Sequence, residues 1–101
     1  MHARLSHVTH VALHRRHLRM TCPRCRQSRI LHGVAVWWLF ERKSWDDAMG
    51  KVAVHFYCAA CQKRGNRVRP RVEITADDPN ASTLPLPDDR TWKRLQSRYR
   101  S

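Results

Sequence analysis

Cys22-Pro23-Arg24-Cys25 and Cys58-Ala59-Ala60-Cys61 hold every cysteine of this 101-residue chain, and the reading of the fold starts from them. Two residues between paired cysteines let both thiolates of one tight turn face a single ion, and two such turns supply the four ligands of a closed tetrahedral zinc site. Redox chemistry of the thioredoxin kind calls for one pair on a βαβ pattern and leaves the second pair without a purpose. Disulfides belong to oxidising compartments, and residues 1–20, rich in His and Arg, lack the apolar run of a secretory signal. The spacing therefore predicts one structural Zn²⁺ on Cys22, Cys25, Cys58 and Cys61 in a cytoplasmic protein. Four thiolates leave no ligand position for water, so the ion is expected to hold the fold and not to catalyse.

Residues 26–57 separate the pairs, a longer span than the roughly 15 to 20 residues common in such sites, so a segment is inserted between the knuckles. Residues 29–32 read as a strand leaving the first turn. Gly33 interrupts it, and Val34-Ala35-Val36-Trp37-Trp38-Leu39-Phe40 reads as a buried helix, although its period alone does not exclude a buried strand. Ser44-Trp45-Asp46-Asp47 has the form of a helix start, with Ser44 as N-cap, acids at the positive end of the dipole and Gly50 as the stop. Val52, Val54 and Phe56 alternate with Ala53, His55 and Tyr57, the period of a half-buried strand running into Cys58. Past Cys61, Val68, Pro70, Val72 and Ile74 share one side of a strand that Pro70 confines to a sheet edge. Gly65, Asn66 and Pro70 argue against a helix after the second pair, which favours a ribbon over a treble clef. The fold expected is a small α+β zinc ribbon with antiparallel strands and a short helical insert between the knuckles. After each pair, where a glycine often takes positive φ, stand Arg26 and Gln62, so both turns are expected to be slightly strained or shaped differently.

Composition divides the chain. Residues 1–19 read as a flexible, basic, His-rich arm in which His7, His10, His14 and His17 would share one face of a helix; Met20 offers an alternative start for the native protein. Residues 20–75 form the zinc-ribbon domain. Residues 76–89 read as an acidic, Pro-rich linker carrying Asp77, Asp78, Asp88 and Asp89, or else as an acidic strand folding back over the basic face. Residues 90–101 read as a short basic amphipathic helix with Trp92, Leu95 and Tyr99 on one side, too short to be stable undocked. The longest apolar run, residues 34–40, falls far below the roughly 20 residues that cross a bilayer.

The run from Cys22-Pro23-x-Cys25 through Val36-Trp37-Trp38-Leu39-Phe40-Glu41-Arg42, Trp45-Asp46-Asp47 and Cys58-x2-Cys61 to Arg64-Gly65 and Arg69-Pro70 resembles small, uncharacterised zinc-ribbon proteins of bacteria. The resemblance covers residues 22–70 and implies a bacterial cytoplasmic zinc ribbon, a class whose members bind nucleic acid or serve as protein adaptors. It names no substrate.

Charge supplies the rest. Twenty Lys+Arg against eight Asp+Glu give a formal +12, and basic chains of this size meet phosphates or an acidic protein surface. The cations concentrate beside the knuckles, and Arg24, Arg26, Lys63, Arg64, Arg67 and Arg69 on adjacent loops would follow a phosphate backbone, with Tyr57 placed to stack on a base. No Ser/His/Asp set or carboxylate pair stands out, so the chain is read as a non-catalytic binder of DNA or RNA with no base-reading element. The alternative is a protein-interaction adaptor anchored by Trp37, Trp38 and the Trp92-Leu95-Tyr99 face. Trp45 is expected in the core, and His55 beside the zinc or on the surface.

Overall fold

The computed structural model describes residues 5–80 and 84–98. Its centre is strand β1 (His17–Thr21), which pairs antiparallel with β2 (Ser28–Leu31) on one side and with β3 (Arg71–Thr75) on the other, in the order β2-β1-β3. The register sets Leu18 between Leu31 and Ile74, and Met20 between Arg29 and Val72. Alternation along the strands therefore collects Leu18, Met20, Leu31 and Val72 on one face. Helices α1 (Val8–Leu13) and α2 (Gly33–Lys43) complete the core, in which Val8, Val11, Leu18, Val36 and Phe40 are almost wholly withdrawn from solvent. Then follow α3 (Met49–Val52), a 3-10 turn at Ala53–His55, α4 (Ala59–Lys63) and α5 (Asp89–Arg98).

Helix α2 is the insert that the apolar run predicted. Two histidines hold its start: His32 Nδ1 accepts from the Val34 amide at 3.2 Å, and His17 Nδ1, reaching over from β1, accepts from the Gly33 amide at 3.1 Å. Gly33 is obligatory, because a Cβ there would lie 2.1 Å from the Arg16 carbonyl oxygen. Arg42 and Lys43 face the negative end of the dipole. Ser44, expected to begin a helix, instead ends this one in the left-handed region (φ +53°), and the Trp45 amide donates back to the Phe40 carbonyl at 3.0 Å. The two acids that followed it have other uses. Asp46 accepts from the Ala48 amide at 3.0 Å, and Asp47 reaches across the molecule to the start of α1, accepting from the Thr9 amide (3.0 Å) and hydroxyl (2.6 Å).

Residues 5–19 are not the flexible arm that their histidines suggested. Val8, Val11 and Ala12 have the i, i+3, i+4 spacing of a buried helix face and are fully buried, while His17–Thr21 is the central strand. The four histidines are correspondingly dispersed: His7 precedes α1, His10 lies in it, His14 follows it and His17 belongs to β1. The strand expected at 52–57 is also absent. Val52 is fully buried while Val54 is 49% exposed, opposite fates for two residues that a strand would place on the same side. No helix runs on through residues 65–70, as Gly65, Asn66 and Pro70 implied, but one does form at the second cysteine pair: α4 holds the pair itself and stops before Gly65 (φ +83°). This is a departure from a ribbon of two hairpin knuckles, because only the first pair lies on a hairpin.

At the other end, Pro70 directly precedes β3, an edge strand as it requires. Of the segment read as a linker, Asp77 is ion-paired with Arg19, and Asn80 caps the free edge of β2, its amide donating to the Ile30 carbonyl (3.0 Å) and its side chain accepting from the Ile30 amide (2.9 Å). Asp88 caps α5 by accepting from the Thr91 amide at 2.7 Å; the Thr91 side chain and then this amide hold its carboxyl below the usual range. Leu95 is buried, and Trp92 meets Trp37 edge-on at 6.0 Å, so this helix is docked. Tyr99 and Arg100 lie outside the described residues. No helix among the described residues is long and apolar enough to cross a membrane.

Two outcomes follow from this arrangement. A chain truncated to begin at Met20 loses α1 and most of β1 and is expected to show no cooperative thermal transition by circular dichroism. His32 is held neutral: desolvation, then the charge of His17, lower its pKa from 6.5. The folded state thus binds this proton less readily than the unfolded chain, and the stability from the cap, about 1 kcal/mol, is complete above pH 6.5 and lost as pH falls below it. Arg15 and Asp89 line the same cavity as His17 and His32. Urea titrations from neutrality to about pH 5 should show a steeper loss of stability in the wild type than in His32→Asn, which keeps an acceptor that does not titrate.

Candidate metal centre

The first pair occupies the turn between β1 and β2. The Cys22 amide donates to the Gln27 carbonyl (2.9 Å), the Arg26 amide to the Cys22 carbonyl (2.9 Å), and the Cys25 amide to Cys22 Sγ (3.4 Å). Closing so tight a turn puts Arg26 in the left-handed region at φ +63°, the strain expected of a non-glycine residue there. The second pair differs. Cys58 is the N-cap of α4 and Cys61 lies within it; the Gln62 amide donates to the Cys58 carbonyl at 3.0 Å in ordinary helical fashion, so the strain expected at Gln62 is missing. The Cys58 amide donates to the Val68 carbonyl at 2.9 Å, tying this turn to the segment that leads into β3.

The two turns bring four sulfurs together. Cys22 Sγ lies 3.7 Å from Cys61 Sγ, Cys25 Sγ lies 3.5 Å from Cys58 Sγ, and all four fall within 4.8 Å of one another. A regular tetrahedron with metal–sulfur bonds of about 2.3 Å has edges of about 3.8 Å, so the donor set has the size to hold one ion. All four are free thiols; Cys22 and Cys61 are buried, Cys25 and Cys58 half-buried. Their protonation is uneven. The Cys25 amide, directed at its sulfur, lowers the Cys22 pKa to about 6, whereas burial and then the neighbouring sulfurs raise that of Cys61 to about 12. Cys22 is thus a thiolate at neutral pH, and Cys61 gives up its proton as a cation enters.

Among the described residues these four form the only group of His, Cys, Asp or Glu side chains able to hold a metal ion, so the histidines of residues 5–19 make no second site. His55 is not a member of this group; its ring stacks on Trp45 (centroids 3.9 Å apart, planes at 7°) and meets Phe40 edge-on at 5.4 Å.

Arg24 and Arg26 are exposed on the first turn, and Lys63, Arg64 and Arg67 are exposed at and beyond the end of α4. Arg69 is occupied, donating to the Val54 carbonyl at 2.5 Å and to the Tyr57 hydroxyl at 3.4 Å. Its guanidinium and that of Arg67 lie 5.1 and 6.0 Å from the Tyr57 ring centroid, a cation–π arrangement. Neither ion pair among the described residues, Arg19 with Asp77 and Lys51 with Asp46, involves any of these six cations.

Sequence reasoning missed a cavity of about 190 Å³ against the cluster, where Cys22 and Cys58 meet Phe56, Gln27 and Leu84. No local pattern announces it, since its walls come from segments far apart in the chain.

No family model, curated protein or solved structure matches this chain. Of the resemblance to zinc-ribbon proteins, the structure shows the four-cysteine cluster.

The full chain is expected to take up one divalent ion, with proton release and with affinity that rises with pH. Cys61→Ser should abolish stoichiometric binding by native mass spectrometry, and chelation of the wild type should remove its thermal transition. Co²⁺ loading should give the intense visible bands of a tetrahedral thiolate centre; weak octahedral bands would contradict the four-sulfur assignment.

Proposed function

We propose that the chain is a non-catalytic, zinc-stapled module that binds nucleic acid through the basic loops around the cysteine cluster. Zinc is supported by the donor set, since four thiolates at tetrahedral spacing suit a soft or borderline ion and leave no position for water. The observation that carries the nucleic-acid reading is the placement of Arg24, Arg26, Lys63 and Arg64. They lie exposed on the two turns that the cluster joins, and none takes part in an ion pair among the described residues. Cations carried on a turn whose backbone is fixed, in a chain of formal charge +12, release counterions from a polyphosphate at little cost in backbone ordering.

An adaptor docking through its tryptophans is the weaker reading. Trp37 is buried, and Trp92 packs against it, so two of the proposed anchors are spent on holding α5. Trp38 remains half-buried, with the Arg42 guanidinium 5.5 Å from its ring centroid.

Fluorescence anisotropy of zinc-loaded protein with labelled oligonucleotides tests this. Binding should weaken about a hundredfold between roughly 50 and 200 mM salt. Arg24→Ala and Arg64→Ala should each lower the slope of log K against log salt by about one, while Trp38→Ala should leave it unchanged. Absence of binding at the low-salt end, or binding indifferent to salt, would overturn the proposal.

A further inference from the structure

Metal binding does not account for the cavity beside the cysteines. Its apolar walls come from both halves of the molecule: Met20 and Leu31 from the sheet, Phe56 and Tyr57 from the segment entering the second pair, and Pro70 and Leu84 from the chain beyond it. Two exposed polar side chains, Gln27 and Arg29, also line it, and no carboxylate among the described residues does. A cavity of this kind, mostly apolar with a few polar groups, is the usual form of a site for a small organic group.

Charge narrows the class of group. Cys22 and Cys58 form part of the wall, so with metal bound that wall carries the net negative charge of a thiolate centre and disfavours a free anion. Arg29 is one of its lining residues, and Arg67 and Arg69 lie over the ring of Tyr57, another of them. The occupant that suits both is a flat, uncharged, hydrogen-bonding body attached to phosphates. Resting on the reading that this chain binds nucleic acid, we propose that the cavity receives one unstacked nucleobase of a single strand. The apolar and aromatic walls take the ring, the Gln27 amide offers both a donor and an acceptor to its edge, and Arg29 and Arg67 are the cations for the flanking phosphates, Arg69 being held by Val54 and Tyr57. Bases stacked in a duplex are not free to enter, so the chain should prefer single strands.

The test uses zinc-loaded full-length protein and three labelled probes of about 12 nucleotides: oligothymidylate, an abasic strand with the same phosphates, and a duplex. The base-bearing strand is expected to bind about tenfold more tightly than the abasic strand. That ratio should fall to about one in Tyr57→Ala, which removes an exposed ring, and in Ala59→Phe, which puts a side chain into the cavity. Zinc content confirms that each variant is folded; should Ala59→Phe fail to load zinc, Tyr57→Ala and the wild-type ratio still decide. Equal affinity of the wild type for abasic and base-bearing strands would overturn the cavity assignment while leaving nucleic-acid binding intact. Failure to bind any of the three at about 50 mM salt would overturn both, and the cavity would then suit an apolar side chain of a protein partner.

Discussion

Four sulfurs within 4.8 Å of one another join the β1–β2 hairpin to the α4 turn, and this closure bounds the rest of the fold. Residues 26–57 become a closed loop, with α2, α3 and the 3-10 turn inside it. The same two regions are joined a second time by backbone: the Cys58 amide bonds Val68, and the chain runs on to pair β3 with β1. Ion ligation and sheet formation therefore demand the same chain closure and share its entropic cost. Thiolate ligation of zinc contributes on the order of 10 to 16 kcal/mol, against a net stability of about 5 to 15 kcal/mol for ordinary domains. An ion held there would contribute on the scale of the entire folding free energy, which would make metal binding and folding one equilibrium. Met20 makes the coupling concrete, being a core residue of β1 two positions from the ligand Cys22.

How far this was legible in the sequence depended on whether the deciding partner was local. The cysteine spacing named the cluster because Cys-x2-Cys has few uses. Val34 to Phe40 was readable as a helix, and Pro70 as a mark of the edge strand, because each signal lies within its own element. The errors share one cause. Val8, Val11 and Ala12 carried a helical core pattern from the beginning, but the histidines and arginines around them drew the segment into the class of solvated tails. Asp47 looked like the first turn of a helix because it is acidic and follows a serine; the helix that it caps is α1, to which it donates no residue. An acceptor can serve a helix start from anywhere in the chain, and local reading assigns it to the nearest one.

Residues 45–56 show a different failure. The alternation read over residues 52–57 is real, but no strand edge among the described residues is used to satisfy it. Rings hold the segment: Phe40 of α2 meets Trp45 edge-on at 5.3 Å, His55 edge-on at 5.4 Å and Phe56 in a stack at 6.3 Å. Aromatic pairs tolerate irregular backbone because each ring reaches several ångströms from its Cα. The segment folds as a short helix and a 3-10 turn around Phe40, and a period-two pattern has no ladder to enforce it. The same packing delivers Phe56 and Tyr57 to the mouth of the second cysteine pair, where they become one wall of the cavity.

The distribution of charge turns this packing into a site. A chain of +12 repels itself, and the two ion pairs found among the described residues relieve little of that repulsion, since exposed pairs contribute about 0 to 1 kcal/mol. The cations are nevertheless crowded onto the two turns that the cluster brings together. A divalent ion in four thiolates carries net negative charge, so a loaded centre would offset part of the repulsion among Arg24, Arg26, Lys63 and Arg64; without the ion Cys61 keeps its proton and that compensation is reduced. Metal loading and the basic surface are thereby coupled through electrostatics as well as through geometry. A polyanion bound to that surface acts in the same direction as the ion, stabilising the arrangement in which the cations are close. On the proposed function, stability and binding would draw on the same residues, since a surface poorly compensated by its own acids is one that a phosphate chain would complete.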